Sequence, residues 1–472
     1  MPSIITSSCL NIPTSSTVLL KAISRFSLHT LSPQSWAVLF ARTSILAVLY
    51  KAITIRHLTI SNSEGTHYYR KYQKGCNDVH LNIINDTFWL RILLSGDLGF
   101  SEAYMIGDVQ VSSLKGAMHL WLENESGMTD TLSSTVAKVS SAMSRLYNSF
   151  LGQTHSQARL NAIASYDQSN ELFTAFLSKE MMYSCALWSD AEGGLQGDLE
   201  VGPTHGDLEA AQRRKIHHVL HSVHMKPGHR ILEFGSGWGG LHQQNLVTQA
   251  ARSFGCEVDT LTLSKEQESL TEERIKQAGL EGRIRVHLLD YCEIPAEFEK
   301  AFDAFVSVEM LEHVGAKHYN TYFKLVDFAL KSKDATVVVT SSTFPKSRFS
   351  SYQAEDFMHK YMWPNSCLPS ATALITATQT GSQGRFMLEG VENHAAHYPR
   401  TLREWGRRLE ANLMQELIVK DYPVLRDVQE YAAFKRKWEY LFAYAGAGFA
   451  KGYITCHMLT FTRQNDMPVR CD

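Results

Sequence analysis

Glycines that follow one apolar run, and acids and aromatics just beyond others, are the residues here whose spacing could support chemistry. In Arg230 to Gly240, reading RILEFGSGWGG, the apolar run Ile231 to Phe234 leads straight into Gly235-Ser236-Gly237-Trp238-Gly239. This pattern predicts a buried strand, a glycine-rich turn and a helix opening near Gly240. Glycines let the backbone approach a ligand closely, and an acid near the strand end, Glu233, can hold ribose hydroxyls. The G-x-G-x-G spacing differs from the dinucleotide G-x-G-x-x-G fingerprint and favours a nucleoside without a pyrophosphate. S-adenosylmethionine fits that description, and an incidental glycine turn is the plainer alternative.

The surrounding chain supplies elements to position such a turn. A helix is expected over Leu208 to Val223 before it. After it, strands over Glu257 to Leu263, Arg283 to Leu289, Ala304 to Glu309 and Thr336 to Thr340 alternate with helices over Lys265 to Ala278 and Lys317 to Leu330. Alternation of this kind implies a parallel, doubly wound α/β sheet that binds ligands at the carboxyl ends of its strands. Thr262 to Ser264, Asp290-Tyr291 and Glu309 to His313 follow strands just as the glycine turn does.

The amino-terminal part reads differently. Apolar residues from about Ala37 to Thr54 have helical spacing, and strands are expected over Ile53 to Ile60 and Val79 to Ile84. A helix over Thr87 to Ser95, a turn Gly96 to Phe100 and a helix Glu102 to Ile106 complete a small α+β domain. The organisation expected is a leader over 1–36, this domain over 37–122, a polar linker over 123–160 and the alternating domain over 161–472. Asn170 to Leu177 should be helical, and the glycine- and acid-rich stretch Ala191 to Gly206 reads as an exposed loop.

With 472 residues, 44% hydrophobic, the chain can build two or three ordinary cores. A net charge of -2 and a pI near 6.9 argue against a dedicated nucleic-acid binder and leave small-molecule or lipid substrates. Eight cysteines from Cys9 to Cys471 form neither a CxxC pair nor a dense disulfide spacing, so a reducing, cytoplasmic setting is expected. No long apolar run predicts a membrane-spanning helix. The first acid is Glu64, preceded by Lys21, Arg25, Arg42, Lys51 and Arg56. That leader suits a disordered segment followed by a helix, a mitochondrial transit peptide, or a basic amphipathic helix on anionic lipid. His217, His218, His221 and His224 have helical spacing, but no nearby acid or cysteine completes a ligand set, so a solvated helix face is expected and no metal.

Nine motifs in order resemble the cyclopropane-fatty-acyl-phospholipid synthases, a family that includes the mycolic acid cyclopropane synthases. They are YSCALW at 183, LEAAQRRK at 208, KPGHRILEFGSGWGGL at 226, TLSKEQ at 262, LLDY at 288, FDAFVSVEMLEHVG at 302, YMWPNSCLPS at 361, HYPRTLREW at 397 and FAYAGAGFAKG at 442. GDLGFSEAYMIGD at 96 extends the resemblance into the lipid-binding domain of the phospholipid-acting members. The resemblance implies a seven-stranded, mostly parallel, Rossmann-like class I methyltransferase sheet behind a smaller α+β domain. It implies that Tyr183, Ser184, Gly235, Gly237, Trp238, Thr262, Leu263, Gln267, Asp290 and Tyr291 surround S-adenosylmethionine, to which the reading of the glycine turn adds Glu233 and Gly239. A bicarbonate ion would act as base, held by Cys185, Glu312 and Tyr398.

The implied reaction converts a cis double bond of an unsaturated phospholipid at a membrane surface to a cyclopropane, with a homodimer compatible. The sequence departs from the family at Thr340-Ser341-Ser342, where bacterial members carry His-x-Ile, and at Ser165 to Asn170, where HYDxGN is usual. A C-methyltransferase that releases a branched product from another lipid or a terpene-like alkene is the alternative. Plainer roles also exist for the three residues: Glu312 capping a helix, Cys185 as a small buried hydrophobe, Tyr398 as a hydrogen-bonded core tyrosine. Aromatic faces at Tyr183, Trp238, Tyr291 and Tyr398 could shelter a carbocation.

Overall fold

The computed structural model describes residues 33–70, 78–127, 169–235, 246–263, 265–353, 355–364 and 366–463. The chain divides into two compact units, and each carries its own sheet.

The first unit contains α1 (Pro33–Ala52), β1 (His57–Asn62), β2 (Gly65–Arg70), β3 (Val79–Ile83), α2 (Thr87–Ile106), β4 (Val109–Val111) and α3 (Leu114–Glu123). Its strands lie in the order β2-β1-β3-β4, with β1 and β3 parallel. Helix α1 begins inside the stretch read as a leader. Its apolar residues spread around the whole circumference, without the single apolar stripe of a helix that lies on a membrane. One of its basic residues, Arg42, is buried and paired with Glu64 at 2.6 Å. Strand β2 was not expected. Asn62 creates it by accepting the Glu64 and Gly65 amides at 3.2 and 3.1 Å, which folds the chain back on β1.

The turn expected over Gly96 to Phe100 is a kink inside one helical element, α2. Gly96 sits at φ 56°, ψ -124°, and the helix resumes after it. Gly99 then passes so close to the preceding turn that a Cβ would lie 2.1 Å from the Arg91 carbonyl oxygen. Order continues past α3, because the Asn124 side chain accepts the Thr54 and Ile55 amides at 2.8 and 3.0 Å. No helix among the described residues is long and apolar enough to cross a membrane.

The second unit runs α4 (Asn170–Phe176), α5 (Asp207–Ser222), β5 (Arg230–Phe234), α6 (Leu246–Phe254), β6 (Glu257–Thr262), α7 (Lys265–Ala278), β7 (Ile284–Leu288), β8 (Ala304–Val308), α8 (Tyr319–Ala329), β9 (Thr336–Thr343), α9 (Ala371–Gly381), β10 (Phe386–Asn393), α10 (Tyr398–Asn412), α11 (Val428–Ala450) and β11 (Thr455–Arg463). The sheet order is β10-β11-β9-β8-β5-β6-β7, with β5 to β9 parallel and β11 antiparallel to both its neighbours. Successive β5 side chains enter opposite layers, as the two-residue period of a strand requires. Ile231 joins Leu220, Ala250 and Val258 on one face, whereas Leu232 and Phe234 join Phe305, Tyr322 and Val337 on the other.

The stretch 191–206 is largely exposed, as its composition suggested, but buried contacts anchor it. Arg400 is 1% exposed and donates to the carbonyls of Glu192 and Gly194, while Arg403 and Arg214 hold the Asp198 and Glu192 carboxylates. Distant arginines thus supply what local apolar residues do not.

Candidate active site

The parallel register places the carboxyl ends of β5, β6 and β7 along one edge. Gly235 leaves β5 at φ 88°, a left-handed conformation that side chains rarely adopt, and a Cβ there would meet the Met310 side chain at 3.3 Å. Gly237, Trp238 and Gly239 lie outside the described residues. Glu233 is buried one step before the turn and accepts from the Thr260 hydroxyl at 2.6 Å. At the end of β6, Thr262 donates to Gln267 at 2.7 Å, and Leu263 is 73% exposed, an apolar face left open at the edge. After β7, Asp290 accepts the Cys292 amide at 2.8 Å and so turns Tyr291 onto Phe234 and Tyr322. A close-approach glycine, an open apolar face and strand-end polar groups on one edge fit S-adenosylmethionine, which Gly235, Thr262, Leu263, Gln267 and Asp290 would hold.

A second cluster forms over β8 and β9. Glu309 follows β8 at φ 49°, strained for a residue with a Cβ. The Cys185 amide donates to its Oε1 at 3.0 Å, the Tyr398 hydroxyl donates to its Oε2, and the Cys456 thiol faces Oε1 at 3.9 Å. Lys215, 4% exposed on α5, lines the same small cavity as Glu309 and donates to the Ser184 hydroxyl; burial lowers its own pKa, and the Glu309 charge is the chief influence that opposes this and keeps the pair ionised. Gln212, one helical turn before Lys215, donates to the Ser184 carbonyl at 2.9 Å. Helix α5 therefore anchors Ser184, the middle residue of Tyr183-Ser184-Cys185. Tyr398 stands at the start of α10, stacked on Phe449 with ring centroids 4.0 Å apart.

Glu312 lies in a short turn after β8, and its Oε1 accepts the Ser342 amide at 2.5 Å. Its carboxylate thus reaches β9 and caps no helix. Oε2 is buried without a hydrogen-bond partner, as is the Thr340 hydroxyl. The altered stretch Thr340 to Ser342 thereby becomes the wall against which Glu312 rests.

Burial raises the affinity of these carboxyls for protons. Burial first, and then the nearby Glu309 charge, pushes Glu312 up to about 8. Burial pushes Glu233 up to about 7, against the Thr260 hydrogen bond. Burial also raises Glu309, opposed chiefly by Lys215 and by the Tyr398 and Cys185 donors. Because Glu312 and Glu233 bind protons more tightly folded than unfolded, their contribution to stability is largest below the ordinary carboxyl range and is lost as pH rises to about 8. The melting temperature should therefore fall between about pH 5 and pH 8, and Glu312→Gln should flatten part of that fall. An equally steep fall in the variant would show that Glu312 ionises no differently in the folded chain.

Cys185, Glu312 and Tyr398, the three residues expected to hold bicarbonate, do gather in this region. The Cys185 amide and the Tyr398 hydroxyl, however, are already engaged by Glu309. The residues present therefore do not leave those donors for a separate ion. Of the expected aromatic shelter, Tyr183 lies among Phe173, Trp363 and Trp405, and Tyr398 reaches the same Trp405. Tyr291 packs elsewhere.

Sequence reasoning placed Glu309 at the ligand edge without giving it a role and missed Lys215, although both sit inside quoted motifs. The signal available was two acids, Glu309 and Glu312, directly after one apolar strand. Of the four histidines expected on a solvated face, His217 and His221 are exposed, whereas His218 and His224 face acids. Glu392 is within 2.7 Å of His218 and 3.2 Å of His394, and Glu389 is 2.9 Å from His224, so strand β10 supplies acids that the local sequence lacks.

The strand order, the single reversed strand and the ligand edge define a class I methyltransferase fold. Residues 153–459 match the family model described as mycolic acid cyclopropane synthetase, and the chain belongs to that family of S-adenosylmethionine-dependent methyltransferases. It is 31% identical over 381 residues to tuberculostearic acid methyltransferase UfaA1 of Mycobacterium tuberculosis, covering 80% of this chain and 82% of that protein. It is also 31% identical over 343 residues to the cyclopropane-fatty-acyl-phospholipid synthase of Escherichia coli, covering 71% of this chain and 78% of the relative. Among solved structures, coclaurine N-methyltransferase bound to N-methylheliamine and SAH aligns with a TM-score of 0.54 at 15% identity, over 77% of this chain and 99% of that one. This likeness shows the fold.

Proposed function

We propose that this chain converts a cis double bond of an unsaturated phospholipid acyl chain to a cyclopropane. S-adenosylmethionine supplies the electrophilic methyl group when bound. An unactivated alkene is a poor nucleophile, so the site must exclude water and hold the double bond against that methyl. The carboxylate cluster carries the reading: Glu309 and Glu312 lie just after β8, next to the cofactor edge, with Tyr183, Trp405 and Tyr398 alongside. The aromatic faces shelter the cation formed when the methyl is added, an interaction worth about 2 kcal/mol or more when desolvated. A buried carboxylate with a raised proton affinity is suited to take the proton whose loss closes the ring.

A second reading has its own support. The two relatives' names divide between a methyltransferase and a cyclopropane synthase, and Thr340 to Ser342 depart from the family pattern. In that reading a proton leaves a neighbouring carbon and the product is a branched alkene. Incubating the full chain with labelled S-adenosylmethionine and dioleoyl phosphatidylcholine vesicles tests both readings. Label in the lipid with a ring in the acyl product supports the first, and a methylene or methyl branch supports the second. Label that stays out of the lipid would sink both for this substrate class.

A further inference from the structure

We propose that the Glu309 carboxylate is this chain's own catalytic base, standing where the family resemblance places a bicarbonate ion. The inference rests on the methyl-transfer reading above. Two of the three residues expected to bind the ion, Cys185 through its amide and Tyr398 through its hydroxyl, donate instead to the two oxygens of this one side chain. A carboxylate presents the same pair of acceptor oxygens as bicarbonate, so the same donors serve it. The cavity beside it, lined by Cys185, Lys215, Glu309, Thr340, His394 and Cys456, has a volume of about 10 Å³, room for at most one water and none for a separate ion. The backbone agrees with such a replacement, because Glu309 occupies a left-handed conformation that glycine adopts without strain.

The chemistry balances with this side chain alone. After methyl addition a C–H bond of the new methyl breaks, its electron pair forms the ring bond to the cationic carbon, and the proton goes to a Glu309 oxygen. Glu309 becomes a neutral acid and returns the proton to water before the next turnover. Burial, which disfavours its charged form, makes it a better proton acceptor than an exposed carboxylate, while Lys215 keeps the charged form accessible. Lys215 and Tyr398 are thus positioning residues for Glu309.

The test uses the full chain, Glu309→Gln and Glu309→Gly, with labelled S-adenosylmethionine and dioleoyl phosphatidylcholine vesicles in buffer stripped of carbon dioxide, with and without added bicarbonate. Wild-type turnover should be indifferent to bicarbonate. Glu309→Gln should lose about 10²- to 10⁴-fold, with S-adenosylmethionine affinity by calorimetry and melting temperature near wild type. Glu309→Gly frees the two donors, so bicarbonate should partly restore its turnover. Carbon-13 bicarbonate should show binding by NMR to Glu309→Gly and not to wild type. Bicarbonate-dependent wild-type turnover, bicarbonate binding to wild type, or near-normal turnover of Glu309→Gln would each overturn the proposal. If wild type transferred no methyl to lipid, the methyl-transfer reading would fall, and the NMR titration would still decide whether Glu309 fills the ion's place.

Discussion

Lys215→Met is expected to lower turnover at about pH 7 by 10- to 10³-fold, and to recover much of the loss as the pH rises. Lys215 is buried on α5 and is the main influence opposing the effect of burial on Glu309. An opposite charge nearby typically shifts a carboxyl pKa by about 1 to 3 units, so its removal leaves a correspondingly smaller ionised fraction. The other groups around Glu309 do not compensate. Burial and the Glu309 charge hold the Tyr398 phenol well above its ordinary range. The Cys185 contact, followed by burial, does the same for the Cys456 thiol, and Glu312 adds only like charge. Raising the pH deprotonates Glu309 despite the lost cation, so the variant's pH–rate profile should shift to higher pH. S-adenosylmethionine affinity, followed by calorimetry on the same preparation, should change little by comparison. A loss equal at every pH would show that Lys215 only fills space.

Arg400→Met is expected to cost about 3–5 kcal/mol of folding stability, the range for removing one partner from a buried ion pair. Arg400 lies 3.1 Å from Asp207 and over the Trp188 ring, and it donates to the Glu192 and Gly194 carbonyls. Methionine fills much of the volume but leaves those acceptors without their donor. Asp198 suffers less, because Arg403 still binds it at 2.7 Å. A guanidinium titration should show a lower midpoint with little change in slope. Arg400 lies two residues after Tyr398 on α10, so activity per folded molecule should fall as well. A loss under about 1 kcal/mol, the range of an exposed pair, would mean that these contacts are replaceable by water.

What the sequence determined by itself is the α/β alternation and the ligand edge. Both rest on local physics: apolar runs of strand length, helical spacing between them, and a glycine exactly where the backbone turns left-handed at Gly235. Helix α7 ends where its pattern ends, and the ligand-edge residues Thr262 and Asp290 follow their strands as expected. The amino-terminal turn was legible as a glycine break but not as a kink within one helix, because the Gly99 close approach to Arg91 depends on packing. Strand β2 has few apolar residues and depends on the Asn62 turn.

Tertiary structure decided what the motifs do to one another. The stretch 191–206 has few apolar residues of its own, and it is fixed by arginines about 200 residues later in the chain. Cys185, Lys215, Glu309, Tyr398 and Cys456 come from separate segments and meet only when α5, α10, β8 and β11 assemble. Local sequence carries no record of which donor will reach which acceptor across such distances. Burial adds a further effect that no motif encodes, since it is the loss of water around Glu309 and Glu312 that turns two ordinary acids into a proton-binding pair.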